Sequence, residues 1–444
     1  MGKYFGTDGA RGKANENLTL EMATKIGEYI GYYYSKKRHG RIVIGKDTRL
    51  SSDMFELAIA AGATAAGANV YQIGVCPTPC VSYLINRDKF DCGVMISASH
   101  NPYYDNGIKL FSGVGKKMDP NIEAEIEEFI DGLRTVELAH DEAIGRIIDY
   151  SDALALYESH LKDIMKYDLT GMNIAVDLAN GSATSCAVEV FRELGADVKV
   201  IHSNPDGVNI NTECGSTHPD SLQELMRSGK YDVGFAFDGD ADRLIAVNED
   251  GELFNGDYTL FVCGCYLRDK GELKDNMVVT TVMANLGLYK AFEKAGIDYI
   301  QTAVGDKYVF EEMEVHDYVI GGEQSGHIIF KQHEVTGDGL LTALMLLEVM
   351  QESKMSLKQL GADLFIYPQL LINVPVKDKA AALENEELIN RVNAVSDELG
   401  DDGRILVRPS GTEPLVRVMV EAKTDAICER YVNSIVDYIK EAGL

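Results

Sequence analysis

Apolar residues are distributed along this chain in a pattern that repeats. The run Ile42-Val43-Ile44 is followed by apolar positions at Met54, Leu57, Ala58 and Ala61. Ile174-Ala175-Val176 is followed by Ala187, Val190, Phe191 and Leu194, and Met277-Val278-Val279 by Leu288, Ala291, Phe292 and Ala295. Each short run, rich in β-branched residues, predicts a buried strand. Each set that follows has the spacing i, i+3, i+4, i+7, which predicts a helix with one apolar stripe. Gly67, Gly195 and Gly296 then stand where a helix C-terminus favours glycine, and second strands are expected at Val70–Ile73, Val198–Ile201 and Tyr299–Ile300. Parallel strands need a crossover, so each unit reads as strand, helix, parallel strand.

The last part of the chain differs. Gln369–Val376, Ile405–Val407 and Leu415–Val420 read as strands, and Thr424–Ala442 as a closing helix. A chain of 444 residues is too long for one ordinary core. The expected class is α/β: three related α/β domains with mixed, largely parallel sheets, then a smaller C-terminal α+β domain. The expected boundaries are 1–152, 153–253, 254–365 and 366–444.

Charge narrows the choice of partner. With 70 acidic and 42 basic side chains the formal net charge is −28, which repels nucleic acid and anionic membranes. An anionic metabolite is repelled at long range as well, so any phosphate site must be built locally from a few cations and backbone N–H groups. The eight cysteines lack partner clusters at zinc-site spacing and read as small core residues of a reduced, cytosolic protein. The N-terminus has no charged-then-apolar signal pattern, and the most apolar stretch, around Tyr258–Leu267, is too short to span a bilayer. A soluble, cytoplasmic protein is expected.

Ligands of open α/β sheets bind beyond the carboxyl ends of the strands. Each expected domain has a chemically loaded loop in that place. Ser97-Ala98-Ser99-His100-Asn101-Pro102 follows Val94-Met95-Ile96 and offers a nucleophile beside a proton acceptor. Further along this loop, Lys109 could exchange a substrate proton if a crowded basic site depresses its pKa. Asp238-Gly239-Asp240-Ala241-Asp242-Arg243 follows Val233–Phe237, and its three alternating carboxylates can converge on one hard cation. A calcium EF-hand nearly matches, with Glu249 at the twelfth place, but Arg243 stands where that loop requires glycine. Gly321-Gly322-Glu323-Gln324-Ser325-Gly326-His327 carries groups that suit sugar hydroxyls. Arg408-Pro409-Ser410-Gly411-Thr412-Glu413-Pro414 combines a guanidinium with successive backbone N–H groups, as a phosphate clamp does, although a plain basic hairpin fits those residues equally.

At these residues, and at Phe5-Gly6-Thr7-Asp8-Gly9-Ala10-Arg11-Gly12, the chain resembles the α-D-phosphohexomutase family over its whole length. The resemblance implies four domains around a central cleft and an intramolecular phosphotransferase. It implies Ser99 as the phosphoserine, and one Mg²⁺ held by Asp238, Asp240, Asp242 and a phosphate oxygen on Ser99. Arg11, His100, Lys109 and Arg243 would surround the transferring group, Glu323 and Ser325 would hold the sugar with His327 nearby, and Arg408, Ser410, Gly411 and Thr412 would grip the other phosphate. A hexose 1,6-bisphosphate activator and a homodimer are further implications. Gln324 points to the branch that interconverts glucosamine 6-phosphate and glucosamine 1-phosphate for amino-sugar nucleotide and cell-wall precursor synthesis. Glucose or mannose phosphates are the alternative substrates. Lys307 departs from the family pattern, which has arginine there; charge is kept and the planar fork is lost. A phosphatase with Asp238 as nucleophile is a weaker alternative, since Asp242 stands where such enzymes want threonine. A non-catalytic sugar-phosphate sensor is weaker still, because a binder has no use for Ser99.

Overall fold

The computed structural model describes residues 2–6, 8–410 and 414–444. All three expected strand–helix–strand units are present. Arg41–Lys46 pairs in parallel with Asn69–Val75 across helix Ser52–Ala65. Asn173–Asp177 pairs with Asp197–Ile201 across helix Ala187–Glu193, and Met277–Thr281 with Asp298–Thr302 across helix Leu286–Ala295. The three stop glycines take positive φ, 98° at Gly67, 98° at Gly195 and 67° at Gly296, where a Cβ would be strained.

The chain divides into two compact units, Met1–Met283 with Ile297–Gly361, and Ala284–Gly296 with Ala362–Leu444. The first holds three sheets. In the seven-stranded sheet, Cys92–Ile96 lies between Arg41–Lys46, its parallel neighbour, and Asp105–Ser112, its antiparallel one. Gly9–Lys13 pairs beyond Asp105–Ser112 and places Arg11 opposite Gly107. In the five-stranded sheet, Asn173–Asp177 separates Asp197–Ile201 from Val233–Phe237, both parallel to it. The four-stranded sheet ends in the hairpin Ile320–Gly322 and Ile328–Phe330. Each of these sheets is thus mixed, with parallel strands running to one edge and antiparallel strands at the other.

One expected helix face is rotated. Leu57 is 59% exposed and Ala61 is exposed, whereas Phe55, Ala58, Ile59 and Ala63 are buried. The cause is the packing partner. Helix Ser52–Ala65 crosses helix Leu20–Tyr34 at a pair of glycines: a Cβ on Gly62 would lie 2.2 Å from the Thr24 carbonyl oxygen, and one on Gly27 2.2 Å from that of Ile59. The buried face is therefore centred on Gly62 and not on the larger side chains.

The second unit is an antiparallel three-stranded sheet, Gln369–Pro375, Leu415–Ala422 and Gly403–Pro409, with Leu415–Ala422 in the middle. Val416, Val418 and Val420 pack with Val432, Ile435, Val436 and Ile439 of helix Asp425–Ala442, whose N-terminus Thr424 caps. Helix Leu286–Ala295 belongs to this unit too, as do helices Lys379–Leu383 and Glu386–Leu399, which were not foreseen. Among the described residues no helix is long and apolar enough to cross a membrane.

In an open helix Gly→Ala gains about 1 kcal/mol. At the glycine crossing the clash should reverse that sign, so Gly62→Ala is expected to cost ~1–3 kcal/mol. Thermal unfolding followed by circular dichroism checks this, and a raised midpoint would contradict the close crossing.

Candidate active site

Cys92–Ile96 is buried at every position and delivers the chain to Ser97-Ala98-Ser99. Ser99 has φ +52°, a left-handed conformation uncommon for a residue with a Cβ. Three groups hold it there. Ser97 Oγ accepts its N–H at 2.9 Å, and its carbonyl accepts from Arg49 Nη2 and Asn211 Nδ2, each at 2.8 Å. Arg49 is itself fixed by Asp47, with Nε donating to Oδ2 at 2.8 Å and both side chains fully buried. The Ser99 hydroxyl is left to donate to Asp238 Oδ2 at 2.6 Å, with His100 Nδ1 at 3.4 Å.

Val233–Phe237, also buried throughout, delivers Asp238, and the backbone then curls through Ala241 at φ +56°. Asp238, Asp240 and Asp242 are all buried, and an oxygen of each lies within 4.8 Å of the others. Asp240 Oδ1 and Asp242 Oδ1 have no hydrogen-bond partner among the described residues. Buried carboxylate oxygens rarely stay unsatisfied, and three of them converging in an all-oxygen set fit a hard divalent cation such as Mg²⁺.

The sign of the local charge decides one conditional expectation. Lys109 Nζ donates to Asp240 Oδ2 at 2.8 Å and Asp242 Oδ2 at 3.1 Å, and lies 3.2 Å from Asp8 Oδ2. Burial alone would lower the lysine pKa, but Asp240, Asp242 and Asp8 hold it well above the ordinary range. The surroundings are acidic, so the condition for a depressed pKa is not met and Lys109 stands as a cation and a donor. Burial, then Asp242 and Asp240, push the Asp238 carboxyl well above its usual range. Burial, with Arg243 and Arg11 close by, pulls His100 down to about 4. Its neutral ring can then accept from Arg243 Nη1, 3.1 Å from Nδ1.

The third loop joins the second. Leu244 N donates to the Gly326 carbonyl at 3.0 Å, and a Cβ on Gly326 (φ +91°) would sit 2.1 Å from the Leu244 carbonyl oxygen. Only glycine permits that approach. His327 is buried, with Nδ1 3.6 Å from Asp242 Oδ1 and Nε2 accepting Gly337 N–H at 3.1 Å. Glu323 is half-buried, its Oε1 accepting Gly305 N–H at 3.1 Å, and Ser325 is exposed. A cavity of about 710 Å³ is lined by Asp8, Lys109, Lys117, Asp306, Lys307 and His327, among others, and is of the size that takes a small metabolite.

Ser99, His100, Lys109, Arg11, Asp238, Asp240, Asp242, Arg243, Glu323 and His327 are thus linked by direct contacts or by their mutual fields. Arg408 and Ser410 belong to the second unit, at the end of Gly403–Pro409. Burial and the neighbouring guanidinium of Arg417, its cross-strand partner, pull Arg408 down. Ser410 N donates to the Leu415 carbonyl at 2.9 Å, and its carbonyl accepts from Lys379 at 2.8 Å. Gly411 and Thr412 lie outside the described residues.

Sequence reasoning missed Arg49, Asn211, Asp8 and Thr78, whose hydroxyl donates to Asp240. Asp47-Thr48-Arg49 follows an apolar strand and met the criterion used for the other loops. Asn211 carried no local signal.

Four domain profiles of one family match the chain. They are the phosphoglucomutase/phosphomannomutase alpha/beta/alpha domains I (residues 2–137), II (150–251) and III (255–366), and the C-terminal domain (371–438). The chain belongs to the phosphoglucomutase/phosphomannomutase family, a class of phosphohexomutase enzymes. It is 52% identical over 444 residues to a phosphoglucosamine mutase of Lachnoclostridium phytofermentans, covering 100% of this chain and 99% of that one. Identity to the phosphoglucosamine mutase of Bacillus subtilis is 48% over 447 residues, covering 100% of both. Among solved structures, a phosphoglucomutase/phosphomannomutase family protein of Burkholderia thailandensis superposes with TM-score 0.82 at 24% identity, over 100% of this chain and 98% of that one. Aspergillus fumigatus N-acetylphosphoglucosamine mutase, in complex with GlcNAc-6P and magnesium, superposes with TM-score 0.73 at 18% identity, over 99% and 96%. At these identities the two structures establish the shared fold.

Calorimetric titration with Mg²⁺ tests the carboxylate loop. One site per chain is expected, weakened more than ~10-fold in Asp240→Asn. Equal affinity in the variant would place the cation elsewhere.

Proposed function

We propose that this chain is a phosphoglucosamine mutase, interconverting glucosamine 6-phosphate and glucosamine 1-phosphate through a phosphorylated Ser99. The observation that carries the reading is the contact between Ser99 Oγ and Asp238 Oδ2 at 2.6 Å, at the mouth of a buried carboxylate loop. Full-length identity near one half to phosphoglucosamine mutases supports the choice of sugar.

In this reading the phosphoryl group leaves Ser99 Oγ for O1 of glucosamine 6-phosphate, and the O1 proton passes to the serine side. The 1,6-bisphosphate turns over, its 6-phosphoryl group returns to Ser99, and glucosamine 1-phosphate leaves. Mg²⁺, held by Asp238, Asp240, Asp242 and an oxygen of the phosphorylated serine, supplies positive charge to the transferring group when bound. Arg11, Arg243 and Lys109 add fixed cations on the protein side, where positioning and charge stabilisation provide most of the rate. Neutral His100 orders Arg243. Glu323 and Ser325 take sugar hydroxyls with His327 behind them, and Arg408, Ser410, Gly411 and Thr412 take the phosphate that is not reacting. Segments 1–152, 153–253, 254–365 and 366–444 would then each supply one loop. A trace of hexose 1,6-bisphosphate would restore serine that has lost its phosphate. A homodimer in the cytoplasm completes the proposal.

Peptide mapping by mass spectrometry, combined with an isomerisation assay, tests it. Phosphate is expected on Ser99. Conversion of glucosamine 6-phosphate should require Mg²⁺, stop with a chelator, and be abolished in Ser99→Ala. Faster conversion of glucose or mannose phosphates would reassign the sugar. Release of free phosphate without isomerisation would overturn the mutase.

A further inference from the structure

We propose a second cation site, for a thiophilic divalent ion of the Zn²⁺ type, formed by Asp177, His202 and Cys214. Asn173–Asp177 and Asp197–Ile201 are parallel neighbours with Asp177 opposite Ile201, so Asp177 and His202 emerge together at the carboxyl edge of the sheet. The loop that follows returns Cys214 to the same place, and one ligand atom of each residue lies within 4.8 Å of the others.

The three side chains are incompletely used by the protein. Asp177 is fully buried, and each of its oxygens accepts a single backbone N–H, from Ala179 and from Gly215, both at 2.9 Å. A carboxylate oxygen has a further lone pair to give. His202 Nδ1 pairs with Asp177 Oδ2 at 3.0 Å without the geometry of a hydrogen bond, so a cation placed between them would replace that pairing. Cys214 is buried, with Asn180 Nδ2 4.0 Å from its sulfur.

The donor set differs in kind from that of the carboxylate loop. One sulfur, one imidazole nitrogen and one carboxylate oxygen are zinc ligands, whereas three carboxylates suit Mg²⁺. Three protein ligands leave the fourth tetrahedral position to water. The His202 side chain is 29% exposed, which opens the cluster to solvent from that side. Binding releases to solvent the Cys214 thiol proton and any proton on the imidazole nitrogen that binds.

Occupancy would reach the serine loop. The segment that ends in Cys214 also carries Asn211, whose Nδ2 donates to the carbonyls of Ser99 at 2.8 Å and Asn101 at 3.1 Å. A cation joining Cys214 to the sheet edge would restrain the strap that fixes Ser99.

The test uses the full chain in excess Mg²⁺, so that the carboxylate loop is filled, and adds Zn²⁺ or Co²⁺. One Zn²⁺ per chain should bind, and the Co²⁺ form should show a thiolate-to-cobalt charge-transfer band. Cys214→Ser should abolish the band, and both Cys214→Ser and His202→Gln should weaken Zn²⁺ binding by at least ~10-fold, with unfolding midpoints showing that the variants are folded. Asp240→Asn should leave the band intact. Absence of the band in the parent, or its loss in Asp240→Asn and not in Cys214→Ser, would overturn the site.

Discussion

Three carboxylates buried within 4.8 Å of one another set the terms for the rest of this structure. Burying one unpaired charge costs several kcal/mol, and adjacent like charges add to that cost. The chain answers with a buried lysine, Lys109, which reaches Asp240, Asp242 and Asp8 together. Arg11 and Lys117 also reach Asp8, and Arg243 and His327 lie beside Asp242, yet two oxygens of the loop remain without a hydrogen bond among the described residues. Those two oxygens are where a bound cation would fit.

The serine is held against the same loop. Its hydroxyl points to Asp238 because its backbone is held left-handed, a conformation that costs about 1–3 kcal/mol and persists only where neighbours enforce it. Arg49 and Asn211 enforce it, from opposite sides of the Ser99 carbonyl in sequence terms: one follows a strand of the first sheet and the other belongs to a loop of the second. Ser99 and the carboxylate loop are thus positioned jointly by two sheets. Arg11, His100 and Arg243 then form a second ring, in which His100 stays neutral because burial and two guanidiniums oppose its protonation.

Much of this was legible in the sequence, because strands with apolar centres and polar loops at their carboxyl ends obey simple periodicity. The three strand–helix–strand units, their glycine stops and the C-terminal sheet were readable in this way. The helix face at Leu57 was misread because the packing surface is set by Gly27 and Gly62, which leave no hydrophobic signal. The state of Lys109 was left conditional because its carboxylate partners come from residues 8, 240 and 242, far apart along the chain. Long-range electrostatics has no local pattern. Asn211 was invisible for the same reason, whereas Arg49 was available to the strand-end criterion and was passed over.

A single-turnover chase decides whether the carboxylate loop and Ser99 together relay a phosphoryl group to a sugar. The protein would be phosphorylated on Ser99 with radiolabelled phosphate and mixed, in Mg²⁺, with unlabelled glucosamine 6-phosphate. Label should leave the protein and appear in hexosamine bisphosphate and then in hexosamine monophosphate. Label released as inorganic phosphate, or retained on the protein while sugar isomerises, would contradict that relay.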